Sequence, residues 1–542
     1  MKKFILILII LAYPFVSNSQ VTEEWVKNYN GPGDSVDYAV SLAVDNSGNI
    51  YVTGNSDGSG TLSDYCTIKY SPNGDSLWVR RYNGPGNGLD VVSSIAVDNS
   101  GNVYVTGSSW GSGTLSDYCT IKYNPNGDSL WLRRYNGPGV GIDWVQSIAV
   151  DNSGNVYVTG SSARSGTVCD YCTIKYNSDG DSLWVRRYSG PGNSDGAFSI
   201  AVDNSGNVYV TGGSVGNGTG SDYCTIKYNS NGDSLWVRRY NGPGNNSDQA
   251  ISLALDNSGN VYVTGSSYGI GTLSDYCTIK YNPNGDSLWV RRYNGPWNRS
   301  EGANSIAVDI SGNIYVIGSS YGSWLYNNDY CTIKYNSNGD SLWVRIYDGP
   351  GNTDDYAESI ALDNSGNVYV TGCSSLYGTN GDYCTIKYDS IGTQRWVQIY
   401  NGQGNGNDCA FSIVADNSGN VYVTGWSYGT TTYDDYCTIK YHDLIGIKLI
   451  SNGTPKEYSL SQNYPNPFNP TTKIKFDIPR SGDVKLVVYN ILGREIAILV
   501  NELLKPGVYE VEWYASSMPS GVYFYKINAG DFSETKKMVL IK

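Results

Sequence analysis

The chain has 542 residues, is rich in glycine (65) and tyrosine (48), holds one histidine, His442, and carries a formal net charge of −13. A lone histidine outside the repeated region excludes Ser-His and Cys-His nucleophile systems and His-ligated zinc from that region. An acidic surface without a basic stripe excludes nucleic acid as a partner.

In chain order, the first element is a basic start at Lys2 and Lys3, an apolar run from Phe4 to Val16, and small residues at Ser17 and Ser19. This pattern predicts a secretory signal over 1–19, cleaved between Ser19 and Gln20. It is short for a membrane span, and no later segment is apolar enough to cross a bilayer, so the mature protein is expected to have no transmembrane segment.

From Gln20 to Tyr441 one phrase dominates. DNSGNVYVTG begins at Asp98, with relatives at Asp45, Asp151, Asp203, Asp256, Asp309, Asp363 and Asp416, spaced by 52 to 54 residues. The second unit shows the pattern. SSIAV (93–97) ends at the turn Asp98-Asn99-Ser100-Gly101; NVYVTG, a polar loop and DYCTIKY (117–123) follow. The turn Asn124-Pro125-Asn126-Gly127 then leads into DSLWLRRY, and NGPG opens the way to the next unit. Four short runs per unit, separated by Gly, Pro and Asn turns, predict four antiparallel strands, the content of one propeller blade. The Ala- and Ser-rich first strand suits a crowded centre, and the Trp strand a wide rim.

The phase of the repeat bears on closure. A Trp strand around Trp25 precedes every other strand, and after Trp396 three strands follow with no Trp strand behind them. The count balances if the Trp25 strand completes the last blade, which hides both edges. The prediction is an all-β chain: a closed eight-bladed β-propeller over 20–441, a linker over 442–457, and a small β-sandwich over 458–542. An open solenoid is the alternative. The units, with their V-D-N-S-G-N-V-Y-V-T-G and D-Y-x-T-I-K-Y cores, resemble the bacterial SBBP β-propeller repeat family. The resemblance implies a propeller and brings no assigned chemistry.

Eight of the eleven cysteines occupy one repeat position: Cys66, Cys119, Cys172, Cys224, Cys277, Cys331, Cys384 and Cys437. Equivalent residues on packed sheets stand about 10 Å apart, beyond disulfide reach, so they are expected to be buried and free. Cys169, Cys373 and Cys409 stand outside the pattern, with their pairing open.

Carboxylates are the chemistry the repeats offer. One set lies eight residues before each DNSG-type turn: Asp37, Asp90, Asp143, Asp195, Asp248, Glu301, Asp355 and Asp408. A second precedes the Tyr-Cys pair: Asp64, Asp117, Asp170, Asp222, Asp275, Asp329, Asp382 and Asp435. A ring of such groups could hold calcium. Their regular repetition points instead to caps on backbone N–H groups, with no metal and no cofactor. No pair of acids stands out as a general acid and base.

The DNSG and N-x-N-G turns, on one face, barely vary, while the loops of the other face differ in length and carry aromatics. Candidate ligand-binding residues there are Trp110, Trp297, Trp324, Tyr326, Tyr377, Trp426 and Tyr428. Aromatic faces on loops held by a rigid scaffold suit a glycan or a surface protein.

After Tyr441 the phrases stop and Lys becomes common. Pro465-Asn466-Pro467-Phe468, Leu492-Gly493-Arg494, Gly521-Val522-Tyr523 and the terminal Lys536-Lys537-Met538-Val539 resemble the C-terminal sorting domain of the type IX secretion system. The resemblance implies that Pro465, Asn466, Pro467, Phe468, Gly521, Tyr523, Lys537 and Val539 belong to a sorting signal. It also implies the type IX machinery as a partner and an extracellular or cell-surface destination. The expected function is a monomeric, non-enzymatic surface propeller that binds through its variable face. The alternative is a secreted carbohydrate-active hydrolase or lyase that uses propeller carboxylates.

Overall fold

The computed structural model describes residues 21–139, 141–164, 167–192, 194–322, 327–375, 380–416, 419–443, 448–451, 453–515 and 518–541. Ser19, Gln20, Trp324, Tyr326 and Tyr377 lie outside the described residues. The chain separates into two compact units, one made mainly of the repeats and one of the C-terminal residues.

In the repeat region the described strands form eight four-stranded antiparallel sheets. The first strand, β1 (Val21–Tyr29), stands before the first full sheet, which is β2 (Asp37–Val44), β3 (Ile50–Asp57), β4 (Ser63–Tyr70) and β5 (Ser76–Tyr82) in that order. β1 pairs with Asp434–Asp443, the third strand of the last unit, and so supplies that unit's fourth strand. His442, expected beyond the last blade, lies within Asp434–Asp443 and is 9% exposed. The eight repeated cysteines are buried and free.

The physical content of the repeated phrase can be read in the second unit. Asp98 Oδ1 accepts from Ser100 N and Asn102 N at 2.9 Å each, and Oδ2 accepts from Asn102 Nδ2 (2.8 Å) and Tyr104 Oη (2.9 Å). Gly101 closes the turn at a φ of 77°, a conformation that favours glycine. Thr106 and Thr120 share a hydrogen bond of 2.9 Å across the buried second and third strands, which satisfies both hydroxyls. The final Gly107 faces a bulge in the first strand, where a Cβ would stand 2.1 Å from Val91 O. The phrase is thus a turn, a staple and a close approach in ten residues.

The core lies between successive sheets. Tyr104, Tyr118 and Trp131 of the second unit pack with Val145, Val156, Cys172 and Tyr176 of the third. Polar bonds set the spacing. The Tyr before each cysteine donates to the backbone carbonyl of the next unit's cysteine, as Tyr118 does to Cys172 O at 3.1 Å. A Lys and a Trp converge on one carbonyl of the following N-x-N-G turn: Lys175 Nζ (3.1 Å) and Trp184 Nε1 (3.2 Å) both reach Ser230 O. The same bonds link the eighth unit to the first: Tyr436 donates to Cys66 O (3.1 Å), and Lys440 and Trp25 donate to Pro72 O (both 3.2 Å). The first strands come close enough for serines to bridge them, as in Ser93 Oγ to Val145 O at 2.7 Å, which is why Ala and Ser fill that strand.

A disulfide joins Cys373 to Cys409, linking the second strand of the seventh unit to the first strand of the eighth.

The C-terminal residues form two further four-stranded sheets around one apolar core that includes Ile474, Phe476, Leu486, Trp513, Tyr525 and Met538. The segment 442–457, expected as a linker, supplies the strand Lys448–Ser451, which pairs with Gly507–Tyr514. Among the described residues no helix is long and apolar enough to cross a membrane.

Candidate functional site

On the variable face, each unit brings two loops together: the N-G-P-G loop that follows the Trp strand and the loop between the second and third strands. Backbone bonds join them, as in Gly86 N to Trp110 O at 3.2 Å. The first acidic set sits under this junction. Asp143 Oδ2 accepts from Gly137 N (2.7 Å) and its Oδ1 from Ala163 N (3.1 Å), so one carboxylate ties both loops. Asp90, Asp248 and Asp408 bond their two loops in the same way, and Asp37, Asp195 and Asp355 each hold the glycine N–H of the first loop. Burial disfavours the charged form throughout this set, pushing Asp37 and Asp355 to about 6 and Glu301 to about 7.

The second acidic set is neutralised by the Trp strand. Asp64 pairs with Arg81 (3.0 Å), Asp117 with Arg134 (2.9 Å), Asp170 with Arg187 (3.2 Å), Asp222 with Arg239 (2.9 Å) and Asp275 with Arg292 (2.7 Å). In the last three units the sequence drops that arginine, placing Ile346, Ile399 and Asn28 at its position. The sixth unit departs further, with Asp348 where other units carry Asn or Ser.

This brings Asp329, Asp348 and Asp355 together, with one carboxylate oxygen of each within 4.8 Å of the others. Asp329 and Asp355 are buried and Asp348 is exposed. Burial, aided by the neighbouring carboxylates, pushes Asp329 up to about 7. This cluster joins one member of each acidic series read from the sequence, Asp355 and Asp329, to Asp348. Asp348 was missed because it belongs to neither acidic series, yet the sequence held the signal: VRIYDGPG where the first and fourth units read VRRYNGPG.

Among the described candidate aromatics, Trp110, Trp426 and Tyr428 pack against neighbouring loops and rings, and Trp297 stands exposed. Trp110 lies across its own unit's loop, its ring 2.6 Å from where a Cβ on Gly88 would stand, and Tyr428 covers Gly404 and Gly406 alike. Trp426 is half-buried and meets Tyr38 of the first unit edge-on at 5.6 Å. Trp297 is 47% exposed, Tyr433 is exposed just before the strand Asp434–Asp443, and Trp144, expected in a variable loop, is exposed near the start of the strand Asp143–Val150.

In the C-terminal unit the sorting-motif residues contact one another. Phe468 N donates to Val539 O and Ile541 N to Phe468 O, both at 3.0 Å, while Asn466 Oδ1 accepts from Val539 N at 3.0 Å. Lys537 O accepts from Gln462 and Asn466 side chains, and Pro465 O from Thr472 Oγ1 at 2.8 Å. The Phe468 ring is buried against Trp513, which Tyr523 meets edge-on, and Gly521 pairs with Leu540 at the start of its strand. The Asn466-Pro467-Phe468 segment is thereby a clasp on the final strand.

Comparison with known proteins agrees with both parts. The SBBP beta-propeller repeat model matches residues 24–60, 77–113, 130–163, 183–218, 235–271, 288–323 and 342–375, and a secretion system C-terminal sorting domain matches 462–542. A WD repeat-containing protein of Acanthamoeba polyphaga mimivirus is 26% identical over 420 residues, covering 62% of this chain; the chain spans 29% of that relative's length. Among solved structures, the propeller domain of the trilobed protease of Pyrococcus furiosus aligns with 9% identity, 65% and 93% coverage of the two chains, and a TM-score of 0.39. An ulvan lyase aligns with 10% identity, 76% and 95% coverage, and a TM-score of 0.36. Likenesses of that size carry no functional weight.

Proposed function

The chain carries SBBP β-propeller repeats and a C-terminal secretion system sorting domain, and from that premise we propose a type IX-exported, non-enzymatic propeller that binds a glycan or a surface protein through its variable loops. In this reading eight blades close into a ring, with β1 as the closing strand, and the C-terminal sheets stack as a sandwich that the secretion machinery reads. The bonds from Tyr436, Lys440 and Trp25 to the first unit support closure.

One observation carries the binding role: the two faces obey different rules. The turn face spends its polar groups on itself, each Asp of the repeated phrase being consumed by its own turn. The loop face presents exposed aromatics, Trp297, Tyr433 and Trp144, on a scaffold held by buried carboxylates. Aromatic surface is a poor choice for a face with no partner and a good one for stacking on sugars or apolar side chains.

The test is a glycan array and a surface-protein pull-down with the full chain, followed by calorimetry on the best ligand. Trp297→Ala and Tyr433→Ala, alone and together, should weaken binding by roughly tenfold or more at an unchanged melting temperature. Equal binding by the double variant would remove these loops as the recognition surface. A second reading, a carbohydrate-active hydrolase or lyase, has the acids at Asp329, Asp348 and Asp355 in its favour. Paired glycosidase carboxylates stand about 5–9.5 Å apart with substrate between them. These three are closer together, and two are buried.

A further inference from the structure

The sixth unit departs furthest from the charge rule that the first five units keep. In the second unit, the positions equivalent to the cluster are Asp117, Asn136 and Asp143, with Arg134 among them, for a formal charge of −1. In the sixth unit the same positions are Asp329, Asp348, Asp355 and Ile346, for a formal charge of −3. Two substitutions, Arg to Ile and Asn to Asp, push the site the same way. The sequence removes one more donor: Tyr326 stands three residues before Asp329, where the other units have Thr. In the first, second, fifth and eighth units that Thr bonds its Asp, as Thr114 Oγ1 does to Asp117 at 3.0 Å.

The result is a buried carboxylate without a counter-charge. Asp329 is 1% exposed, its Oδ1 is buried without a hydrogen bond, and it lies with Asp348 and Asp355 in one cluster. Asp355 spends Oδ2 on Gly349 N (2.6 Å), while its Oδ1 is buried without a hydrogen bond. An unpaired buried carboxylate costs several kcal/mol unless something neutralises it. Ile346 cannot, and it projects to solvent at 41% exposure.

The geometry points to a divalent cation site at Asp329, Asp348 and Asp355, of the hard, oxygen-liganded class, with calcium as its ion. Two oxygens on a calcium at about 2.4 Å can be no more than about 4.8 Å apart, and one oxygen of each of these three carboxylates lies within 4.8 Å of the others. Three carboxylates supply oxygens only, which suits calcium over zinc or copper. The exposed Asp348 leaves an entry from solvent. The cation would take the structural place that arginine holds in the first five units, fastening the third strand of the sixth unit to the loop that leads into the seventh.

The site does not depend on a ligand for the variable face, and the test keeps the two apart. Chelator-treated full-length protein is titrated with calcium chloride by calorimetry and by thermal melting, with magnesium chloride in parallel. One calcium per chain and a raised melting temperature are expected. Asp348→Asn restores the residue most other units carry, and Ile346→Arg restores the arginine, so both variants should fold. Both should lose the calcium response by roughly tenfold or more in affinity, and Ile346→Arg should melt above the calcium-free parent. No calcium response in the parent, or an unchanged one in either variant, overturns the assignment. A response to magnesium equal to that to calcium overturns the choice of ion.

Discussion

The carbonyl of Ser230 offers a test of how consecutive units hold together. Two donors from the third unit reach it, Lys175 Nζ and Trp184 Nε1, and the Trp184 ring also packs between Tyr157 (6.2 Å) and Tyr228 (6.1 Å) at 7% exposure. Trp184→Ala removes both ring and donor and should cost about 3–5 kcal/mol, the usual range for a buried Trp. Trp184→Phe keeps most of the ring and should cost about 1–2 kcal/mol, because Lys175 still satisfies the carbonyl. Lys175→Met keeps the apolar stem over the Tyr157 ring while losing the charge, and should cost a similar amount. The double variant leaves Ser230 O with neither donor. The penalty for an unsatisfied acceptor, about 1–3 kcal/mol, then appears on top of the two single effects. Guanidinium unfolding of the four proteins by circular dichroism measures this coupling. Strict additivity would show that the shared carbonyl is not what fastens one unit to the next.

Four further outcomes follow. Deleting 20–29 removes β1, so the strand Asp434–Asp443 loses its partner; gel filtration should show association through that edge and a lower melting temperature, whereas an unchanged monomer would argue against the strand's role. Cys373→Ser should cost up to about 4 kcal/mol, from the entropy of a crosslink with a sequence separation of 36, and should leave one additional thiol on Cys409 that can be titrated. Asn466→Ala, which loosens the clasp on Val539 but leaves the propeller untouched, should raise the fraction of protein retained in the periplasm, and undiminished surface display would refute the clasp.

The last outcome concerns pH. Hydrogen bonds outweigh burial at Asp45, Asp98, Asp151, Asp203, Asp256 and Asp309 and hold these carboxyls below the ordinary range. Their stability is present above pH about 4 and is lost as pH falls further. Asp329, at about 7, and Asp37 and Asp355, at about 6, act in the opposite sense, contributing stability at low pH that is lost as pH rises through those values. The raised groups begin to lose that contribution above pH about 4, so chelated protein should melt highest near pH 4. A maximum above pH 7 would contradict the assignment of the raised groups.

Much of this was legible from residues alone. Asp98 and Gly101 betray a turn because their chemistry is local, and the stray Trp25 strand betrays its pairing because strands must balance. The Cys373–Cys409 bond was not legible, since it depends on which strands of neighbouring sheets face each other. Nor were the contacts of Trp110 and Tyr428, because an aromatic beside a glycine loop reads as exposed until the loop folds under it. The acidic cluster lay between these cases. Its signal was Ile346 and Asp348, visible as departures from the repeat, but only the fold brings Asp355 from the next unit to meet them.

The position of β1 also has a consequence in time. It is the first strand of the repeats to be made, and its partner ends at Asp443, more than 400 residues later. At about 5–20 residues per second, the strand waits from roughly 20 to 80 seconds before a partner exists. During that interval it is an apolar-faced edge looking for a sheet. Glu23, Glu24 and Lys27 lie along it, and charges on a waiting strand discourage the wrong match. Once the last unit arrives, Glu24 meets Lys440 at 2.7 Å, so a charge that guarded the strand while it waited becomes part of its final contact.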